Sequence, residues 1–208
     1  MKKLFIGVYN PSIILTYISV FCSIFGLGQL ALFNETNSID IMSLCMVLLA
    51  VAGVCDMFDG RVARMCKRTE KEKEFGIQLD SLADTVSFVV FPAVMFIFMC
   101  RMHLVSIIVA CFYAFAGILR LGWFNITTEE NKSCYQGLPV TFAALIFPAA
   151  YVILKHFSLS VSGLAFVILY SLVGLLFIAN FKLKKPDLKF SIMMIGVAIL
   201  VILGLLLF

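Results

Sequence analysis

The chain has 208 residues, 62% of them hydrophobic and only 13% charged, with a mean hydropathy of +1.08. This composition excludes a soluble domain with a single anchor and predicts a polytopic membrane protein: an all-α transmembrane bundle of six or seven spans, folded as one domain over 1–208. The net charge of +4 excludes a nucleic-acid partner, and the seven cysteines, scattered through apolar runs without C-x-x-C spacing, read as small buried hydrophobes.

In chain order, residues 1–11 form a short basic and apolar lead that suits an interfacial segment. No A-x-A-like site follows Met1-Lys2-Lys3, so no cleavable signal is expected. Pro11 suits the first turn of a first span over about 12–33, and N-E-T-N-S-I-D at 34–40 reads as an acidic loop. The second span, about 41–66, ends in D-M-F-D-G-R-V-A-R. An eleven-residue spacer of alternating charge follows and reads as a solvated turn. The third span, about 76–99, opens with G-I-Q-L-D-S-L-A-D and contains Pro92, which is able to kink it. Arg101-Met102-His103 is a minimal turn in which His103 reads as interfacial rather than as a ligand. The fourth span, about 104–124, ends in L-R-L-G-W-F-N; an arginine as deep as Arg120 needs an anionic partner, and Trp123 marks the interface. A polar segment at 125–136 leads to G-L-P-V and a fifth span at 138–154. A sixth span at 159–181, the basic loop F-K-L-K-K-P-D-L-K and a last span at 190–208 complete the chain.

The stretch from Asp56 to Asp84 carries chemistry. A charge at the centre of a membrane helix costs about 2.5–3.5 kcal/mol even on lenient scales and is usually retained because it binds an ion or a substrate. On helices, Asp56, Asp59 and Ala63 share one face, and Gly76, Asp80 and Asp84 share another at spacings of four. Two such helices side by side aim four carboxylates at one point, and hard oxygen donors of this kind suit one or two Mg²⁺, Mn²⁺ or Ca²⁺ ions. The small residues Gly60, Ala63 and Gly76 allow close approach of a helix or a flat ligand, and Arg64 offers a forked cation for phosphate. Together these features suggest phosphoryl transfer on a lipid.

The same residues resemble the signature of the CDP-alcohol phosphotransferase family, D-x2-D-G-x2-A-R, a spacer, then G-x3-D-x3-D. All eight fixed positions are present: Asp56, Asp59, Gly60, Ala63, Arg64, Gly76, Asp80 and Asp84. The spacer departs from the pattern, with eleven residues against the family's more usual eight or nine. Further patches, L-D-S-L-A-D-T-V-S-F-V-V-F-P-A, L-R-L-G-W-F-N and G-L-P-V, are similar to the branch of the family that takes serine as its alcohol. One arginine of that branch's pattern is replaced in the neighbourhood of Gly122-Trp123.

The resemblance implies a metal-dependent transfer of a phosphatidyl group from CDP-diacylglycerol to the hydroxyl of L-serine, with release of CMP. It implies Mg²⁺ or Mn²⁺, two ions, on Asp56, Asp59, Asp80 and Asp84, and Asp84 as the base that takes the serine proton. Gly60, Ala63, Arg64 and Gly76 would hold the CDP-lipid, with Asn10, Pro11 and Thr16 near the nucleotide. Arg120 and Asn125 are candidates for the serine carboxylate. A homodimer is also implied. The rival readings are the same chemistry on glycerol 3-phosphate or an inositol phosphate, and an ion-coupled transporter using the carboxylates. By alternate loops, fourteen basic residues fall on the side of the N-terminus and two opposite, which places the Asp56–Asp84 stretch on the cytosolic side of a cell-membrane protein.

Overall fold

A computed structural model of the protein describes residues 10–32, 40–100, 103–127, 134–156, 163–184 and 188–207. The expected interfacial lead before Asn10, most of the acidic loop at 34–40 and the turn at 101–102 lie outside the described residues. So do 128–133, 157–162 and 185–187 of the polar and basic connections.

Helix starts are written in the local sequence. Asn10 accepts from Ser12 N at 3.0 Å and, with Pro11 in the first turn, opens a short 3₁₀ turn, Pro11–Ile13, that runs into α1 (Ile14–Ala31). Asp40 caps α2 (Ile41–Met65) by accepting from Ser43 N at 3.1 Å. Thr69 and Glu72 form a reciprocal capping box, so α3 (Glu70–Asp84) begins at Glu70 rather than at 76. The solvated spacer is thereby corrected to four residues, 66–69, followed by an exposed first turn of helix stapled by the Glu70–Lys73 ion pair.

From Glu70 the helix continues for 30 residues to Met99, through a π-helical segment, Thr85–Val90, and α4 (Phe91–Met99). The π turn explains how Pro92 is accommodated. Proline has no N–H for the carbonyl four residues back, which is that of Phe88. The Tyr113 hydroxyl donates to that carbonyl at 2.6 Å, and the Tyr170 hydroxyl donates to the Pro92 carbonyl at 3.0 Å. Both tyrosines come from later helices, α5 (Leu104–Thr127) and α7 (Gly163–Ile178). Tyr170 is also stacked between Phe96 and Phe147, at ring separations of 4.3 and 3.9 Å, with Tyr113 edge-on to Tyr170 and Phe147. This aromatic column forms the centre of the bundle.

The remaining elements are a strand β1 (Cys134–Gln136), a 3₁₀ turn at Val140–Phe142, α6 (Ala143–His156), a strand β2 (Lys182–Lys184) and α8 (Leu188–Leu207). β1 and β2 pair antiparallel with Tyr135 opposite Leu183, so part of the expected basic loop is a short ladder. Helix α1 packs along α2, α5 along α7, and α2 also meets α6 and α8. Among the described residues, four helices are long and apolar enough to cross a membrane, and three shorter apolar helices accompany them. Their outward faces are apolar, with Phe21, Phe115, Leu172 and Leu200 exposed. The protein is a helical membrane bundle.

At the end of α2 opposite the aspartates, the Asp40 carboxylate accepts from Lys155 Nζ at 2.6 Å, from Ser43 Oγ at 2.6 Å and from Tyr151. Burial works against the charge of this half-exposed carboxyl, but the bonds from Lys155 and Ser43 outweigh it and hold its pKa down to about 2. The pKa is lowered on folding from about 3.9. The contribution is therefore fully present above about pH 4 and is lost as pH falls through about 2. Thermal melts of the detergent-solubilised protein should show wild type losing stability between pH 4 and pH 2 more steeply than Asp40→Asn. Tyr113→Phe should cost about 1–3 kcal/mol in the same assay, since it leaves the Phe88 carbonyl buried and unpaired, while a surface Tyr17→Phe change should cost almost nothing.

Candidate active site

The last turns of α2 and the last turns of α3 come together at the carboxylates and assemble the motif. Asp56, Asp80 and Asp84 each present an oxygen within 4.8 Å of the others. Asp56 faces Asp84 and the Thr141 side chain, and Asp59 faces Asp80. Thr16, on α1, donates to Asp59 Oδ2 at 3.3 Å. Carboxylates this close repel unless positive charge stands between them. The donor set is all hard oxygen, arranged within a few ångströms and backed by a hydroxyl, which fits a divalent cation such as Mg²⁺ or Mn²⁺.

Three cavities meet at these carboxylates. One, of about 220 Å³, runs between α1, α2 and α3; Thr16, Asp59, Gly60, Ala63, Arg64, Gly76 and Asp80 line it, together with Ser12 and Arg68. A second, of about 180 Å³, is lined by all four aspartates with Arg120, Phe124, Pro139 and Thr141. The third, of about 360 Å³, is largely apolar; Val54, Leu145, Met194 and Ala198 line it, and it extends to Asp56, Arg61 and Arg64.

The wall of the second cavity is built by G-L-P. Gly137 has φ +70°, and a Cβ there would stand 2.7 Å from the Phe177 carbonyl, so glycine is required on both counts. Its N–H donates to Phe181 O and that of Leu138 to Leu176 O, which ties the segment to the end of α7. Leu138 is thus fixed with its carbonyl accepting from Arg120 Nε at 3.2 Å, and the following 3₁₀ turn delivers Thr141 to Asp56. Arg120 is buried, at 6% exposure, with its guanidinium over the Phe124 ring.

The structure places eight of the expected residues in the first cavity or at the carboxylate cluster itself: Thr16, Asp56, Asp59, Gly60, Ala63, Arg64, Gly76 and Asp80. Asp84 closes the cluster, and Arg120 joins it through the second cavity. Asn10 and Pro11 do not line these cavities. Asn10 caps the first turn and reaches the Lys67 carbonyl at 3.5 Å. Asn125 is exposed and accepts from Ser81 Oγ at 3.0 Å, away from Arg120. Five residues on a helix turn through about 500°, so Arg120 and Asn125 face directions about 140° apart. Thr141, Phe124 and Arg68 were not singled out by sequence. Thr141 lies just beyond G-L-P-V, and Arg68 sits in the spacer that its charges made look merely solvated.

Residues 9–202 match the model of the CDP-alcohol phosphatidyltransferase family, and the chain belongs to that family of membrane enzymes. Among its relatives is the CDP-diacylglycerol–serine O-phosphatidyltransferase of Helicobacter pylori (strain ATCC 700392 / 26695), 29% identical over 196 residues, covering 89% of this chain and 80% of the relative. The enzyme of the same name from Methanocaldococcus jannaschii is 32% identical over 154 residues, covering 73% and 69%. The archaetidylserine synthase of Methanothermobacter thermautotrophicus is 32% identical over 142 residues, covering 68% and 58%.

Two glycines of α2 separate access from packing. A Cβ at Gly60 meets nothing within 4 Å, whereas one at Gly53 would stand 2.5 Å from Ala144 Cβ. Gly60→Ala should therefore leave the melting temperature at or above that of wild type and weaken CDP binding measured by calorimetry. Gly53→Ala should instead cost about 1–3 kcal/mol of stability through overpacking.

Proposed function

We propose that the enzyme transfers the phosphatidyl group of CDP-diacylglycerol to the hydroxyl of L-serine, giving phosphatidylserine and CMP. The observation that carries this reading is a single buried guanidinium, Arg120, in the cavity that holds all four motif aspartates. An amino-acid alcohol brings one carboxylate to be recognised, and an arginine held by the Leu138 carbonyl and the Phe124 ring matches it. Glycerol 3-phosphate or an inositol phosphate would bring a doubly charged group, yet Arg120 is the only cation among the residues lining that cavity. The serine phosphatidyltransferases among its relatives support the same choice of alcohol.

The three cavities suit the three parts of the reaction. The one lined by Gly60, Ala63, Arg64 and Gly76 takes the nucleotide, the apolar one takes the first part of the diacylglycerol, and the one lined by Arg120 takes serine. Asp56, Asp59, Asp80 and Asp84 would hold Mg²⁺ or Mn²⁺, two ions in our reading, which when bound neutralise the diphosphate and polarise the phosphorus that carries the diacylglycerol. Arg120 orients the serine carboxylate so that its hydroxyl lies toward the carboxylates. Asp84 accepts the hydroxyl proton as the serine oxygen bonds to that phosphorus and the bond to the CMP oxygen breaks. Thr16 steadies Asp59 by a hydrogen bond, and Thr141 stands beside Asp56 in the wall of the Arg120 cavity.

The excess of basic residues on the motif side supports a cytosolic site in the cell membrane, from which CMP is released into water. A homodimer is part of the same reading by family resemblance.

Release of CMP from CDP-diacylglycerol should start on addition of serine and not of glycerol 3-phosphate, vanish with chelator and return with Mg²⁺ or Mn²⁺. Asp84→Asn should lower turnover by roughly 10²–10⁴-fold while CDP still binds, and Arg120→Lys should raise the KM for serine alone. Turnover with glycerol 3-phosphate in preference to serine would overturn the choice of alcohol, and full activity in chelator would overturn the metal.

A further inference from the structure

We propose that Arg68, supplied by the spacer between α2 and α3, is a second guanidinium of the nucleotide pocket and binds the diphosphate of the CDP-lipid. This inference rests on the donor reading above. It concerns a residue outside the eight fixed positions of the motif, in the stretch where the spacer is longer than the family pattern.

The backbone on both sides of Arg68 is anchored. The Lys67 carbonyl accepts from Asn10 Nδ2, and Thr69 N donates to Glu72 Oε2 at 2.7 Å. Within a spacer whose other cations point to water, the Arg68 side chain turns inward. Lys67, Lys71 and Lys73 are exposed, whereas Arg68 is half-buried. Its Nη1 lies 3.5 Å from where a Cβ on Gly76 would stand, so the guanidinium lies across the glycine that opens the second half of the motif. It lines the same 220 Å³ cavity as Arg64, Gly60, Asp59 and Asp80.

Of the other spacer charges, Lys73 pairs with Glu70 and Glu72 serves the cap of α3, while Lys67, Lys71 and Glu74 are exposed to water. Among the described residues, neither Arg64 nor Arg68 forms an ion pair. Two guanidiniums facing one pocket suit an anion that also meets the ions held by Asp59 and Asp80, and a nucleoside diphosphate esterified at its far end carries one negative charge on each phosphate. The fork of each arginine suits one of them.

The test uses the full chain in nanodiscs with Mn²⁺ and measures calorimetric affinity for CDP and for cytidine, with the KM for serine alongside. Arg68→Gln should weaken CDP roughly tenfold, the scale of one charge-assisted hydrogen bond, and leave cytidine and serine unchanged. Arg68→Lys should recover part of the loss, since it keeps the charge without the fork. The melt of Arg68→Gln should match wild type, because the backbone anchors do not use its side chain; if that variant fails to fold, a partial loss on CDP and none on cytidine in Arg68→Lys carries the test. Equal CDP affinity in Arg68→Gln and wild type, or an equal loss on cytidine, would overturn the inference. So would tighter Mn²⁺ binding with unchanged CDP affinity, which would make Arg68 a counter-charge to Asp59 and Asp80 only. A wild-type protein that binds no CDP would instead fail the donor reading itself, so the two failures are distinct.

Discussion

Four carboxylates drawn to one point at the edge of an apolar bundle repel each other and resist leaving water, and much of the surrounding structure manages that cost. The ends of α2 and α3 must converge for Asp56 and Asp59 to face Asp80 and Asp84, and the short capped turn at 66–69 links the two helices. The Thr16 hydroxyl is spent on Asp59, and Thr141 stands beside Asp56. Cations stand around the cluster in separate cavities, Arg64 and Arg68 on one side and Arg120 on another. A membrane protein tolerates such a charge density only where binding a cation and a charged substrate returns more than the desolvation takes.

The far half of the bundle supplies rigidity. Pro92 leaves a gap in the backbone ladder of the longest helix, and tyrosines from α5 and α7 bind the Phe88 and Pro92 carbonyls there. These bonds lock α5 and α7 to the helix that carries Asp80 and Asp84. The end of α7 in turn holds Gly137 and Leu138, and Leu138 holds Arg120. The aromatic column and the wall of the Arg120 cavity are thus joined by a short series of backbone contacts.

Much of the site was legible because its information is local. Spacings of three and four on helical stretches place Asp56 with Asp59 and Asp80 with Asp84 whatever the tertiary fold. The apolar runs likewise announced the helices that carry them. The start of α3 was also written in the sequence, as T-E-K-E from Thr69 to Glu72, but alternating charge masked that cap and made the segment look like a free turn. Asn125 was drawn to Arg120 by closeness along the chain, although five residues of helix turn it away. Thr141 and the inward turn of Arg68 depend on which elements meet, and no periodicity within the 3₁₀ turn before α6 or within the spacer reports that. The ladder between β1 and β2 is illegible for the same reason, since three-residue strands carry almost no pattern of their own.

The way the cavity walls are divided along the chain has an evolutionary side. In our reading the nucleotide pocket is made by α1, α2, α3 and the spacer, whereas the serine wall comes from α5 and the G-L-P turn, and these two cavities share only Asp59 and Asp80. Drift in one wall need not disturb the other. A lineage that exchanged Arg120 and its Leu138 support for a different set of polar groups would acquire a new headgroup while keeping its activated lipid, its leaving group and its metal chemistry. In such an architecture, membrane headgroup diversity becomes a matter of retailoring one wall around an inherited reaction.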